Sequence, residues 1–272
     1  MSINFAGIKL KTPYIAASGC FGYGWEFMEK FGPSSWGAVS GKTITLNPRQ
    51  GNPPPRIFEV ECAVVNRIGL HNCGLDIFLN QELPKIKKLN YPVFVSIFGE
   101  NFDQWQEILG RLSKKHIKAV ELNLSCPNIH GEKIIKNIKQ CSELVYNLKK
   151  RFKLSLIAKI NAVDEPVKLS RELNNSGIDG IICSNSIPGS VVFEGSIING
   201  GLCGPAIKPV VLNAINKITD NVDVDVAGCG GIASYKDVQD YKSAGAKAFV
   251  LGSILLSKPY IIDELLKEGK NG

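Results

Sequence analysis

Apolar and polar side chains alternate, stop and restart along this chain, and one stretch shows the pattern most sharply. Residues 119–124 set Val120, Leu122 and Leu124 against Glu121 and Asn123, with Ser125 next, which is the period of a strand with two unlike faces. The strand stops at Pro127. Beside the stop stand a thiol, Cys126, the amides Asn123 and Asn128, and the hydroxyl of Ser125. A polar cluster at the carboxyl end of an apolar strand is where parallel α/β folds place their chemistry.

Similar apolar runs predict strands over residues 14–17, 37–43, 93–98, 119–124, 156–160, 181–186, 223–227 and 248–251. Helical periodicity covers about 75–88, 102–115, 134–152, 165–176, 209–219 and 235–244, and residues 3–13, with Gly7 in the middle, read as a short hairpin. Strands alternating with helices imply parallel pairing with right-handed crossovers. Eight of them favour closure, so the expected fold is α/β, an eight-stranded parallel (β/α)8 TIM barrel with an N-terminal β-hairpin. Two stretches read as loops: residues 47–72, rich in Pro, Gly and Asn, and the glycine-rich residues 195–204.

Length and charge narrow the picture. The 272 residues, 44% hydrophobic, suit one domain spanning 1–272, since such barrels run to about 250 residues. No apolar run approaches the ~20 residues of a membrane span, and residues 1–10 have neither a basic leader nor a hydrophobic signal core, so a cytoplasmic protein without a membrane partner is expected. The net charge of +7 comes from short runs such as Lys149-Lys150-Arg151. These read as solvated helix faces rather than a nucleic-acid site, and a modest positive field suits an anionic cofactor or substrate. The eight cysteines form no Cys-x-x-Cys, and His71, His116 and His130 have no metal or triad spacing, so no disulfide framework and no metal site is expected.

Several motifs carry both a chemical and a plainer reading. Gly37-Ala-Val-Ser-Gly-Lys-Thr43 has three residues between its glycines where a phosphate loop needs four, and no Gly-x-Gly-x-x-Gly follows a strand. The glycines at 228, 230, 231 and 252 follow the last two strands, where barrels commonly bind phosphate on backbone N–H groups; two tight turns are the alternative. Lys159 lies within a buried-type strand, where an ammonium is costly unless an anion or electron-rich ring accepts it, the alternative being an amine that reaches the rim. Lys42 carries the same ambiguity. Cys126 alone would read as core, but its place among amides at a strand end points to a base or nucleophile.

These residues resemble the catalytic chain of class 1 dihydroorotate dehydrogenases. The resemblance is carried by Ala17-Ser-Gly19, Lys42-Thr43, Gly51-Asn52 with Pro55-Arg56, Asn66 with Gly69-Leu70-x-Asn72, Asn123-Leu-Ser-Cys-Pro-Asn128, Lys159, Asn185-Ser186, Gly201 to Pro209, Gly230-Gly-Ile232 and Gly252. It implies oxidation of dihydroorotate to orotate in pyrimidine biosynthesis, with FMN as hydride acceptor and Cys126 as base. The FMN phosphate would rest on Gly230, Gly231, Gly252 and Ser253 beside Gly204. Its ring and ribityl chain would touch Ser18, Gly19, Lys42, Asn123 and Lys159. Lys42, Asn66, Asn123, Asn128, Asn185, Ser186 and the backbone of Gly69 and Leu70 would hold the substrate. The Gly-Asn-Pro-x-Pro-Arg run and the Gly-Leu-x-Asn spacing are closer to the NAD-linked subclass than to the fumarate-linked one. That implies a homodimer core and a partner iron–sulfur flavoprotein holding FAD.

The chain departs from the family in a shortened lid after Asn128, a shortened segment between Ser186 and Gly200, and Cys229 where methionine is common. The alternatives are an FMN enzyme for another dihydropyrimidine, a non-catalytic flavin-holding subunit, and a phosphate-binding barrel using Lys159 in a Schiff base.

Overall fold

The structure is a computed structural model that describes residues 2–27, 35–89, 91–115, 117–124 and 137–271. Its centre is a closed, all-parallel barrel of β3 (Tyr14–Ala16), β4 (Ala38–Ser40), β7 (Val93–Ile97), β8 (Ala119–Asn123), β9 (Ser155–Ile160), β10 (Gly180–Cys183), β13 (Asp225–Cys229) and β14 (Ala248–Leu251). Each barrel strand pairs with the next in the chain, and β14 returns to β3. The expected barrel is therefore present.

Alternation decides which side chains go where. Val120 and Leu122 on β8 join the cluster between barrel and helices, whereas Ala119 joins the cluster along the axis, so Glu121 and Asn123 share the axial face. The hairpin β1 (Ile3–Phe5) and β2 (Ile8–Leu10) closes the amino-terminal mouth. Phe5 and Leu10 are buried against Ile15, Phe94 and Ile157. Ala6 bonds to Asp225 (2.9 Å) and Ser155 (2.7 Å), the first residues of β13 and β9. With that end plugged, only the carboxyl-terminal mouth can admit a ligand.

Above that mouth lies a second, four-stranded antiparallel sheet in the order β11 (Ile187–Phe193), β12 (Ser196–Cys203), β6 (Ala63–Asn66), β5 (Ile57–Val60). It corrects two expectations. Residues 47–72 are not all loop, because they contain the β5–β6 hairpin, and residues 195–204 are mostly strand. The glycines serve close approach rather than flexibility. A Cβ at Gly200 would stand 2.5 Å from the Asn66 carbonyl oxygen, and one at Gly201 would stand 2.6 Å from the Ser186 Cβ.

Two helices also differ from expectation. The helix read over 75–88 is split by a π-helical turn at Phe78–Glu82 between Gly74–Ile77 and Leu83–Ile86. Pro84 has no N–H for the carbonyl four residues back, and Leu83 just before it bonds to Phe78 five residues back, shifting the ladder by one. The helix read from about 134 begins at Ile138, because Asn137 is extended and its side chain caps Gln140 N–H at 2.9 Å.

Helices Lys208–Asn221 and Tyr235–Ser243 are tied together by Lys208, which reaches Asp237 and, at 2.7 Å, Asp240. Asp237 also accepts from the Ala233 N–H (2.9 Å) and the Ser234 hydroxyl (2.8 Å). Burial pushes its carboxyl up, but these donors and the ammonium outweigh it and hold the group below the usual range. A carboxyl depressed on folding adds stability above its unfolded value of about 4, and that stability is lost as pH falls through the folded value. Asp237→Asn should cost about 1–3 kcal/mol at pH 7. In denaturant melts the gap from the parent should close as pH drops below about 4.

Candidate active site

The carboxyl-terminal ends of the barrel strands surround a cavity of about 390 Å³, roofed by the second sheet. Ser18 and Gly19 come from the turn after β3, Lys42 from the end of β4, and Asn123 and Lys159 from paired positions on β8 and β9. Asn185 and Ser186 follow β10, Gly204 follows β12, Gly230 and Gly231 follow β13, and Gly252 and Ser253 follow β14. Asn66, Gly69 and Leu70 enter from above. Every described residue assigned to the site from sequence lines this one cavity. Cys126, Asn128 and the segment read as a shortened lid lie outside the described residues, as do His116 and His130.

The amides are cross-linked. Asn185 donates to Asn123 Oδ1 at 3.1 Å, and Asn123 donates to the Thr43 hydroxyl at 3.2 Å. Asn66 donates to the Gly201 carbonyl at 2.9 Å and to Ser186 Oγ at 3.2 Å. Such bracing removes the rotational freedom that an amide otherwise loses on binding a ligand. The loop bearing Gly69 and Leu70 is held from behind. Asn72, 4% exposed, receives Thr45 N–H and Gly74 N–H and donates to the Leu70 carbonyl at 2.7 Å. Asn52 holds Arg67 and Ile68, and Arg56 holds Asn52 in turn. Asn52 and Asn72 thus serve the loop. Leu70 itself sits at φ +54°, a left-handed conformation that surrounding bonds must maintain.

Lys159 is 5% exposed, with Nζ 3.3 Å from Ser18 Oγ, so its charge stands inside the cavity rather than at the rim. Lys42 lies 3.4 Å from His71 Nδ1. Burial, Lys42 and Arg56 all press the His71 pKa down, which leaves its ring neutral at pH 7 and Nδ1 able to accept from the ammonium.

Three thiols with no site role expected from the sequence also line the cavity: Cys20, Cys203 and Cys229. Burial pushes Cys20 up to about 12 and Cys229 up to about 11, although Lys159 pulls both down; burial raises Cys203 as well. All three are therefore protonated at neutral pH and unfit as bases. No spacing in the chain marked them as neighbours. Among the described residues, no group of His, Cys, Asp or Glu is arranged to hold a metal.

The glycine wall fits a phosphate-bearing ring cofactor. A Cβ at Gly231 (φ +70°) would stand 2.8 Å from the Gly204 carbonyl oxygen, so bare backbone from two loops is packed edge to edge there. The Gly230 carbonyl is taken by the Tyr241 hydroxyl beneath the helix layer, which turns the Gly231 N–H the opposite way. At Gly252 a Cβ would meet nothing nearer than Ala17 at 3.5 Å and would occupy the cavity itself. With Lys159 supplying positive charge, the donor set suits an anionic flavin nucleotide.

Comparison with known proteins agrees with this geometry. The family model described as dihydroorotate dehydrogenase matches residues 1–271. A protein of Endomicrobium trichonymphae named dihydroorotate dehydrogenase B (NAD(+)), catalytic subunit, is 36% identical over 98% of this chain and 92% of its own. Proteins of the same name from Malacoplasma penetrans and Thermodesulfovibrio yellowstonii are each 35% identical over 98% of this chain and 91% of theirs. A crystal structure of DHODH from Eimeria tenella in complex with ferulenol superposes with a TM-score of 0.84 at 21% identity, covering 99% of this chain and 83% of that one, which is a likeness of fold.

Gly252→Val tests the glycine wall, since side-chain atoms added there enter the cavity rather than a neighbouring segment. The variant should fold with a melting temperature close to the parent's, yet purify with less than roughly a tenth of the bound flavin, because ~1.5–3 kcal/mol of displaced contact is decisive for retention. Flavin absorbance per chain after gel filtration measures this.

Proposed function

The chain belongs to the dihydroorotate dehydrogenase family, and on that premise we propose that it oxidises dihydroorotate to orotate, with FMN as its flavin and Cys126 as the base. One observation carries the reading. A nearly buried lysine, Lys159, and the paired amides Asn123 and Asn185 meet in the same cavity as the glycine backbone of residues 204, 230, 231 and 252.

Gly204, Gly230, Gly231, Gly252 and Ser253 would hold the FMN phosphate, and Ser18, Gly19, Lys42, Asn123 and Lys159 its ribityl chain and ring. When bound, the flavin supplies a two-electron acceptor for hydride. Lys159, anchored on Ser18 with little water around it, favours the negative charge that accompanies the hydride. Asn66, Asn123, Asn128 and Asn185 pin the substrate by offering a donor and an acceptor from each amide, helped by Ser186 and the backbone of Gly69 and Leu70. Lys42 at the mouth suits the substrate carboxylate.

Dihydroorotate must lose a proton from one carbon and a hydride from its neighbour. Cys126 would take the proton from the substrate carbon. The protonated thiols of Cys20, Cys203 and Cys229 do not compete for this role. We infer further that the protein acts in the cytoplasm, as a homodimer core joined to a partner subunit, an iron–sulfur flavoprotein that holds FAD and passes electrons to NAD. The 1–272 chain then forms one FMN-binding domain. Among the described residues, no helix is long and apolar enough to cross a membrane.

The purified protein should be yellow and bleach anaerobically when dihydroorotate is added; a flavin that stays oxidised would refute the assigned substrate. Cys126→Ala should keep its flavin and lose roughly 10²–10⁴-fold in kcat, the usual contribution of a positioned base. Unchanged turnover in that variant would remove Cys126 from the mechanism. The isolated chain should reduce a dye but not NAD, and NAD reduction should begin only when the partner subunit is supplied, as followed at the NADH absorbance band.

A further inference from the structure

The cavity wall carries a cluster that the chemistry above uses only in part. Lys42 after β4, Arg56 just before β5 and His71 just after Leu70 all line it, and Lys42 Nζ stands 3.4 Å from His71 Nδ1. The histidine is aimed by its backbone. Next to it Asn72 and Arg49 exchange two N–H···O bonds of 3.0 Å, and a Cβ at Gly51 (φ +72°) would stand 2.9 Å from the His71 Cβ, so the chain is packed against the root of the side chain. Arg56 is fixed as well, its guanidinium donating to the Asn52 carbonyl and, at 3.0 Å, to the Gln50 carbonyl.

We propose that His71 is a further member of the substrate-carboxylate site: when an anion settles beside Lys42, the ring takes a proton from solvent at Nδ1 and holds the anion as an imidazolium, and it returns the proton when the anion leaves. The inference rests on the reading of Lys42 and the Gly69 and Leu70 backbone as substrate contacts. An anion shared by Lys42 and Leu70 must lie close to the residue that touches one and follows the other. Among the described residues, the charged groups that act on the ring are Lys42 and Arg56, both cations. Glu100, after β7, is engaged with Arg49 at 2.7 Å, and Glu82, in the π turn, with the Trp25 indole at 2.6 Å. Tyr23, whose ring lies 5.8 Å from the Lys42 ammonium, accepts the Cys73 N–H at 2.9 Å. Burial raises both Tyr23 and Cys73, so neither titrates where a histidine does.

Without an anion the ring faces two positive charges and can serve the Lys42 ammonium only as an acceptor, which needs Nδ1 bare and the ring hydrogen on Nε2. A carboxylate changes both conditions. It cancels one of the two charges, and it offers Lys42 a stronger acceptor than imidazole, which frees the Nδ1 lone pair. The ring therefore binds its proton more tightly in the complex. Linkage requires the reciprocal: the anion binds more tightly as pH falls through the range where the ring charges. The ligand carboxyl itself titrates near or below about pH 4, so its own charge is constant across that range.

The test uses the flavin-loaded protein and orotate. By calorimetry the orotate Kd should be roughly three- to tenfold lower near pH 5.5 than near pH 7.5. At about pH 6, binding heats in two buffers of unlike ionisation enthalpy, neither a carboxylate nor a phosphate, should show uptake of roughly half a proton per orotate bound. His71→Gln keeps a carbonyl acceptor for Lys42 but cannot take the proton, so the slope of Kd with pH and the proton uptake should both vanish. Should that variant fail to fold, the parent decides alone: its His71 ring resonances, assigned through the neighbouring Leu70 and Asn72 amides, should titrate at higher pH with orotate than without. A pH-independent Kd, a slope that survives in H71Q, or a ring that titrates alike with and without orotate would overturn the proposal and leave the functional reading standing. A parent protein that binds no orotate at any pH would refute that reading, and this proposal with it.

Discussion

Water is excluded from the axis of a closed barrel, so every polar group that a strand turns inward has to be satisfied by another group turned inward. This constraint organises the molecule. On β8 the same alternation that sends Val120 and Leu122 to the helices sends Glu121 and Asn123 to the axis, and the neighbouring strands answer with Ser96 and Lys159, joined by Ser40 from β4. The axis is graded as a result. Phe5, Leu10, Phe94 and Ile157 fill its lower part, hydroxyls and a carboxylate its middle, and amides and an ammonium its upper mouth. A site built this way has little freedom to relax, and preorganisation of that kind is what charge-stabilising chemistry uses.

Closure also explains why the site cannot be assigned to any one segment. Its wall takes residues from the ends of β3, β4, β8, β9, β10, β13 and β14 and from the sheet above them. Asn66 and Gly201 are 135 positions apart in the chain yet bonded, and Asn185 and Asn123 are 62 apart. The second sheet therefore does more than cover the mouth, because it orients one of the amides proposed to hold the substrate. Loops that carry function are usually the mobile parts of a barrel. Here the loop from Asn66 to Asn72 is instead stiffened by the side chains of Asn52 and Asn72, which do not line the cavity, and by Arg56, which does.

Glycine and proline depart from their average meaning at several places in this chain. Gly200 and Gly201 punctuate loops in most sequences, but here they lie within β12 because neighbouring backbone and side-chain atoms leave no room for a Cβ. The β5–β6 hairpin was hidden by the Pro-rich run before it, although Ile57 to Val60 and Ala63 to Asn66 are ordinary strand sequences. Pro84 was absorbed into a continuous helix, whereas its missing N–H is accommodated by a π turn. The clustering of Cys20, Cys203 and Cys229 beside Lys159 had no local signal at all, since Cys20 follows β3, Cys203 ends β12 and Cys229 ends β13.

What the amino-acid sequence determined by itself was the barrel: eight two-faced or wholly apolar runs, their parallel order, the hairpin before them and the family they belong to. These are legible because side-chain period and turn chemistry act over a few residues. The strings around Ser18, Lys42, Asn123, Lys159, Asn185 and Gly230 also named the cavity wall, since each sits at the end of a strand and closure must bring strand ends together. Only the tertiary structure decided how those groups face one another: that Lys159 is buried on Ser18, that the nearby thiols are held protonated, and that Glu121 is met on the axis by the hydroxyls of Ser40 and Ser96. Burial and hydrogen-bond direction are set by neighbours distant in the chain, and no local pattern encodes them.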